Sequence, residues 1–481
     1  MSERRPRIAS LRTPAALREH LAAIGAALPC DDAPLAAPDS PLAAPLELGR
    51  GPGGALVAPN RFVIQPMEGW DGDAEGRPSP LTVRRWRNFG RSGAGWIWGG
   101  EAVAVRRDGR ANPGQLVIDE RTAPDLRRLR EELLEAADEA GGPVPVVGLQ
   151  LTHSGRWSRP EGVPRPRVAC RNPLLDLRVG VRDDAALLSD AELEALVGDF
   201  ARAAALAREL GFAFVDVKHC HGYLLHELLG ARTRAGRFGG ESLAARSRLS
   251  LAILAAVRAA APDLRVGVRL SVFDSVPFAT GPDGRGAPEP HALPWRHGFG
   301  IDPAAPERTD LSEPVAFVRG LAEQGVAWVN VTAASPYYAP HLQRPAMFPP
   351  SDGYPPPEDP LLGVARLLGA ARDLKRAVPS LVVVSSGWTY LQEFVPHVAQ
   401  ACLRQGWFDA VGLGRMALSY PELPADVLAG RTLARKRLCR TFSDCTTAPR
   451  KGLVSGCYPL DPFYRARPER EALEAAKRSQ T

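Results

Sequence analysis

Eight short β-branched or apolar runs alternate with longer Ala-, Leu- and Arg-rich stretches of helical spacing, which predicts an α/β chain folded as a (β/α)8 TIM barrel. A second observation points the same way: polar residues gather at the carboxyl ends of these runs, where barrels carry their chemistry. Periodicity alone would also permit an open doubly wound sheet. In chain order the strands are expected at 62–64, 96–98, 144–149, 212–218, 266–270, 326–331, 381–384 and 410–413. The clearest helices between them are expected at 122–140, 190–210, 243–261, 311–324 and 361–377.

Residues 1–48 form an N-terminal extension, with one helix near 13–27 and a Pro/Ala-rich linker expected to cap the barrel floor. The barrel is expected over 49–430, followed by a cysteine-containing tail over 431–481. Two loops are long and proline-rich, 275–306 after the fifth strand and 335–359 after the sixth. Such loops at a catalytic rim either cover the substrate, the expectation here, or are surface insertions.

A content of 45% hydrophobic and 24% charged residues is that of an ordinary globular protein. The net charge of +6 comes from arginines scattered among Asp and Glu, with no basic helix or aromatic-interleaved basic strand, so no nucleic-acid partner is expected. Seven cysteines are too few for a disulfide scaffold of this size and suit a reducing cytoplasm. There is no apolar run of about 18 residues, and Met1-Ser2-Glu3-Arg4-Arg5-Pro6 lacks the apolar core of a signal peptide. A cytoplasmic protein with a small-molecule substrate, no membrane partner and scope for a homo-oligomer is expected.

The segment Val215-Asp216-Val217-Lys218-His219-Cys220-His221-Gly222-Tyr223 delivers an amine, imidazoles and a phenol to one strand-to-helix turn. Two alternating histidines with Cys220 could be read as a metal site, but without a third ligand nearby no metal is expected. Further groups stand at the other strand ends. They are Asn60-Arg61-Phe62-Val63-Ile64-Gln65-Pro66-Met67, Glu101-Ala102, Gln150-Leu151-Thr152-His153-Ser154-Gly155-Arg156, Arg237-Phe238-Gly239-Gly240, Arg269-Leu270-Ser271 and Gly414-Arg415.

Taken together and in this order, these groups resemble the Old Yellow Enzyme family of FMN-dependent ene reductases and NADH:flavin oxidoreductases, over about residues 59–421. The resemblance implies bound FMN, with NAD(P)H as electron donor. Gln150 would then face the pyrimidine edge of the isoalloxazine, and Arg269 the N1 and C2 carbonyl region, where a guanidinium stabilises the reduced anion. The alternatives are a glutamine satisfied by backbone, and an arginine neutralised by Asp216 or Glu101. Gly387 and Gly414-Arg415 would hold the phosphate, and Pro66, Met67 and Ala102 would line the flavin.

By the same resemblance, Tyr223 falls on the proton donor and His221 on the second oxygen-binding position, while Lys218 replaces the usual first histidine and would hold an anionic substrate oxygen together with His221, or donate a proton itself. Glu68 stands where Thr or Cys is common, and a carboxylate near the flavin would oppose its reduction. Tyr337 and Tyr338 either wall the substrate pocket or pack on the neighbouring loop, and His153 is expected to shape its loop. A larger dienoyl-CoA reductase and trimethylamine dehydrogenase branch carries a four-cysteine iron-sulfur motif after the barrel. Here Cys439, Cys445 and Cys457 keep three positions and Phe442 stands where the second cysteine would be, so no cluster is expected.

The expected activity is hydride transfer between flavin N5 and a small organic molecule, in the direction of NAD(P)H-driven reduction of an activated C=C bond. The alternatives are a flavin-dependent dehydrogenase or demethylase working oxidatively, and a redox-inactive barrel that binds a ligand or partner.

Overall fold

The computed structural model describes residues 5–51 and 54–478; residues 1–4, on which part of the leader reading falls, lie outside the described residues. The eight expected strands form a closed parallel barrel: β1 (Phe62–Ile64), β2 (Trp96–Ile97), β3 (Val146–Thr152), β4 (Phe214–Val217), β5 (Arg265–Ser271), β6 (Trp328–Thr332), β7 (Val382–Ser385) and β8 (Ala410–Leu413). Closure runs through β8 and β1, with Val411 opposite Phe62 and Leu413 opposite Ile64. The doubly wound alternative, which leaves two sheet edges, is thereby excluded.

Outside the strands lie α1 (Pro80–Gly90), α2 (Ala123–Glu139), α3 (Asp190–Glu209), α4 (Leu243–Ala260), α5 (Ser312–Glu323), α6 (Pro360–Ala377), α7 (Val395–Arg404) and α8 (Leu423–Leu428). Helix α3 shows why. Ser189 caps it in a reciprocal box with Glu192, and Leu193, Leu196, Phe200, Ala203, Ala204 and Ala207 make one buried stripe. Gly211, at φ +81°, then turns the chain toward β4. Truncating buried Phe200 to Ala would cost roughly 3–5 kcal/mol.

The barrel floor is an aromatic plug. Trp96, Trp98, Phe214 and Trp328 pack edge to face or tilted, with centroids 4.9–5.7 Å apart. A hairpin of strands Leu46–Gly51 and Gly54–Ala58 covers them with Leu46 and Leu48, and the Trp328 indole donates to the Leu48 carbonyl at 3.0 Å. The cap is thus made by the last residues of the extension, Leu46 and Leu48, within this hairpin, rather than by its helix or Pro/Ala-rich linker. The helix Pro14–Ala23 lies on the flank, where His20 pairs with Asp359 at 2.9 Å, and Asp31 of the linker braces α7 through Gln400 and Arg404.

Two features shape the opposite mouth. Strand β2 breaks at Gly99 and Gly100, because a Cβ on Gly100 would lie 2.3 Å from the Trp86 ring; the chain then resumes as Ala102–Ala104 beside Gln150. The loop over 275–306 folds into hairpins around a separate cavity of about 290 Å3 near Asp274 and His341, so the covering role expected of it is not met. The 335–359 loop does meet it, reaching the main cavity through Tyr337, Gln343, Arg344 and Pro345. Among the described residues no helix is long and apolar enough to cross a membrane.

Candidate active site

Above the plug, polar side chains fill the barrel. Gln65 and Asn330 exchange amide hydrogen bonds of 3.0 and 2.7 Å, in space that exists because β8 carries Gly412; a Cβ there would lie 1.8 Å from the Gln65 amide. Asp216 is fully buried and accepts from the Gln150 amide at 2.5 Å, the Trp98 indole at 2.7 Å and the Arg269 backbone N–H at 2.7 Å. Burial raises its carboxyl to about 6, against the opposing pull of these donors. One Gln150 N–H is therefore held by Asp216, a side chain rather than the backbone partner foreseen as the alternative.

Of the two carboxylates in the alternative for Arg269, Asp216 acts on it through its charge and takes its backbone N–H without a side-chain ion pair, and Glu101 pairs instead with Arg85 at 2.5 Å. Among the described residues the Arg269 guanidinium donates to the Pro66 carbonyl at 3.4 Å, with Nε unpartnered. A buried guanidinium without a paired carboxylate can take up an anion.

Gln150 and Arg269 line one cavity of about 240 Å3 together with Pro66, Met67, Glu68, Ala102, Lys218, His221, Tyr223, Tyr337, Gly387, Gly414 and Arg415. At its β7–β8 corner, Gly387 takes φ +97°, which a side chain would strain, and nothing lies within 4 Å of where a Gly414 Cβ would be. Arg415 donates to the Pro345 carbonyl at 3.1 Å and leaves Nη1 free.

At the β4 end, the backbone of His221 is left-handed at φ +66° and is held there by two serines: its N–H donates to Ser271 Oγ at 3.1 Å and its carbonyl accepts from Ser335 Oγ at 2.7 Å. Its Nε2 lies 3.2 Å from the Gln343 amide and 3.5 Å from Thr332 Oγ1. Enclosure, then the charges of Arg269 and Lys218, hold its pKa well below the usual imidazole range. His219 points the other way, buried against Phe317 with Nδ1 2.8 Å from the Val217 carbonyl. The two imidazoles therefore cannot share an ion, and among the described residues no group of three or more His, Cys, Asp or Glu is placed to hold a metal.

Glu68 accepts from the Tyr223 hydroxyl at 2.8 Å and pairs with Lys218 at 3.1 Å, and the Lys218 ammonium stands 3.6 Å over the Tyr223 ring. Lys218 and Glu68, expected singly, thus form an ion pair: the ammonium expected to meet the substrate oxygen has a carboxylate partner, and the Glu68 carboxylate has a cationic one. Tyr337 stacks on Trp157 at 4.3 Å and places its hydroxyl 3.2 Å from that of Tyr223. Tyr338 does not wall the pocket. It is buried, and its hydroxyl donates to Asp274 at 2.9 Å, because the turn that aims Tyr337 inward sends its neighbour to the other side.

The tail is part of the site. Cys445, Thr446, Pro449, Arg450 and Ser455 line the cavity, whereas Cys439 packs under Met416 and Cys457 faces a small crevice near Gly69. Phe442 stacks on Phe348 with centroids 5.6 Å apart. Arg344, Trp388 and Arg450 were not foreseen. Trp388 follows Gly387 directly and could have been found by adjacency, but the two arginines stand in irregular segments without a periodic signal.

A barrel with an amide, a guanidinium without a paired carboxylate and a glycine–arginine corner around one cavity defines the flavin-binding oxidoreductase class. The chain belongs to the NADH:flavin oxidoreductase / NADH oxidase family, whose model matches residues 54–281. It is 33% identical over 202 residues to a 12-oxophytodienoate reductase-like protein 2A of Arabidopsis thaliana, covering 36% of this chain and 73% of that one. It is 27% identical over 381 residues to a metal reductase of Desulforamulus reducens, covering 78% of this chain and 48% of that one. The chain spans about half the length of the longer curated relatives it matches. Among solved structures, a 2-naphthoyl-CoA reductase complexed with 2-naphthoyl-CoA has the same fold, with a TM-score of 0.64 and 17% identity, covering 88% of this chain and 57% of that one.

Family membership implies FMN with NADH or NADPH, and the residues present fit FMN. The Nε of Arg269 and the Nη1 of Arg415 are buried donors without partners, and the open side of Gly414 leaves room beside Arg415 for a phosphate.

Proposed function

We propose that this chain is an FMN-dependent reductase that uses NAD(P)H to saturate an activated C=C bond in a small organic molecule. FMN, when bound, accepts hydride from the nicotinamide and returns it to the alkene. Arg269 and Gln150 hold the polar edge of the ring, Arg415 with Gly387 and Gly414 holds the phosphate, and Pro66, Met67 and Ala102 line it. The observation that carries the reading is that unpartnered donors of Arg269 and Arg415 line the same cavity as the Tyr223 hydroxyl.

His221, neutral and fixed by Ser271 and Ser335, binds the substrate oxygen. Tyr223 supplies the proton: enclosure and the adjacent Glu68 carboxylate raise its pKa well above the usual range, so it stays protonated until a basic carbon forms beside it. Lys218, over the ring, offsets the charge left on the phenolate. Tyr337, backed by the Trp157 ring stacked on it, walls the pocket and excludes water.

Anaerobic mixing tests this reading. NAD(P)H is expected to bleach the flavin, and an enone such as cyclohexenone to restore its colour. A substrate that itself bleaches oxidised flavin would instead establish the oxidative direction, and a chain that takes up no FMN would be a redox-inactive binding module.

A further inference from the structure

The cavity holds more positive charge than one flavin phosphate requires. Besides Arg415, it is lined by Arg344 from the 335–359 loop and Arg450 from the tail. Arg450 donates to the Pro336 carbonyl at 2.9 Å, next to Tyr337, and pairs with Asp352 at 2.8 Å. Among the described residues Arg344 pairs with no carboxylate: Nη1 donates to Thr446 Oγ1 at 2.6 Å, and Nη2 is shielded from solvent with no partner, although the residue as a whole is only partly enclosed. Burial, followed by the charges of Arg450 and Arg415, lowers its pKa to about 9. The adjoining Gln343 amide lies 3.2 Å from His221, and on its other side Arg344 meets the glycine corner, where Arg415 donates to the Arg344 and Pro345 carbonyls at 3.5 and 3.1 Å.

A guanidinium donor left unpartnered in a cavity lining, between two like charges and with the nearby Asp352 already paired to Arg450, is favoured by an anion that completes it. We infer that Arg344, supported by Arg450, is an anion site for the substrate, so that the reducible molecule is a small carboxylate whose charged end lies under the loop-and-tail roof while its reacting end lies at Tyr223. This rests on the flavin reading of the cavity and adds the class of substrate. Arg344 Nη2 and the Thr446 hydroxyl, which accepts from Nη1, supply the polar contacts a carboxylate needs.

The test is calorimetric titration of the FMN-loaded protein with benzoate and with benzamide, which have nearly the same shape but differ in charge. Benzoate is expected to bind roughly tenfold or more tightly. Arg344→Gln should abolish that preference with one FMN still bound per chain, Arg344→Lys should retain part of it, and Arg450→Gln should weaken it. Equal binding of the two probes by the unaltered protein would overturn the inference, and this needs no variant to fold. So would a preference that survives Arg344→Gln but vanishes in Lys218→Met, or loss of FMN from Arg344→Gln, which would make Arg344 a flavin-phosphate ligand. Flavin absorbance of the same samples separates the two readings: FMN bound without a preference sinks only this one, and no FMN at all sinks both.

Discussion

The floor and the roof of the cavity are built differently. The floor residues Gln150, Arg269, Gly387 and Gly414 sit on or just past barrel strands whose register is fixed by parallel pairing on both sides. The roof residues Tyr337, Arg344, Thr446 and Arg450 sit on a proline-rich loop and a tail that hold each other, as in the Arg344–Thr446 and Arg450–Pro336 hydrogen bonds. A rigid, strand-borne floor suits a cofactor that never leaves, and a roof of loops suits a substrate that must enter and depart.

Substitutions can break this division of labour. The largest effect is expected from Tyr223→Phe, at the edge of the floor: alkene reduction should slow by about 10²–10⁴-fold while reduction of the flavin by NAD(P)H stays within about twofold. Equal loss of both half-reactions in stopped-flow traces would remove Tyr223 from its role.

Next is the pH dependence of the floor's buried imidazoles. Burial lowers the His219 pKa to about 4 from an ordinary 6.5, so its neutral form is favoured by folding. That stability is fully present above pH 6.5 and is lost as pH falls toward 4, on the order of 3 kcal/mol. His219→Phe should flatten this part of the melting-temperature profile; an unchanged acid slope would contradict the assignment.

Arg269→Ala should weaken FMN by roughly 10–100-fold in a fluorescence titration. Because the guanidinium lacks a carboxylate partner, the flavin-free variant should melt no lower than the unaltered protein, which distinguishes ligand binding from support of the fold. The smallest effect is expected at the roof. Tyr337→Phe removes one hydroxyl contact to Tyr223 and keeps the stacking on Trp157, so turnover should change by less than about tenfold. A loss comparable to that of Tyr223→Phe would move the proton path onto the roof.

The same contrast explains what could be read from the chain. Strand-borne residues were legible because a short, continuously apolar β-branched run with a polar residue at its end leaves a local signature, as at Gln150 and Arg269. Their partners were less so: the commitment of Asp216 to Gln150 and of Glu68 to Lys218 joins residues 66 and 150 positions apart, which no window of sequence connects. In the roof, periodicity is absent. The same reasoning kept Tyr338, whose turn points it to Asp274, and passed over Arg344 and Arg450. The tail's cysteines attracted attention through their spacing, while the cavity uses Cys445 alongside Thr446 and Arg450.

The most direct test of the central claim is an FMN titration of purified flavin-free protein, compared with its Gly414→Trp variant. One flavin per chain should bind with quenched fluorescence, and the variant, whose indole would occupy the open side of the glycine corner, should fold yet bind none. A correctly folded protein that takes up no FMN, or a Gly414→Trp variant that binds it undiminished, would contradict the placement of the flavin in this cavity.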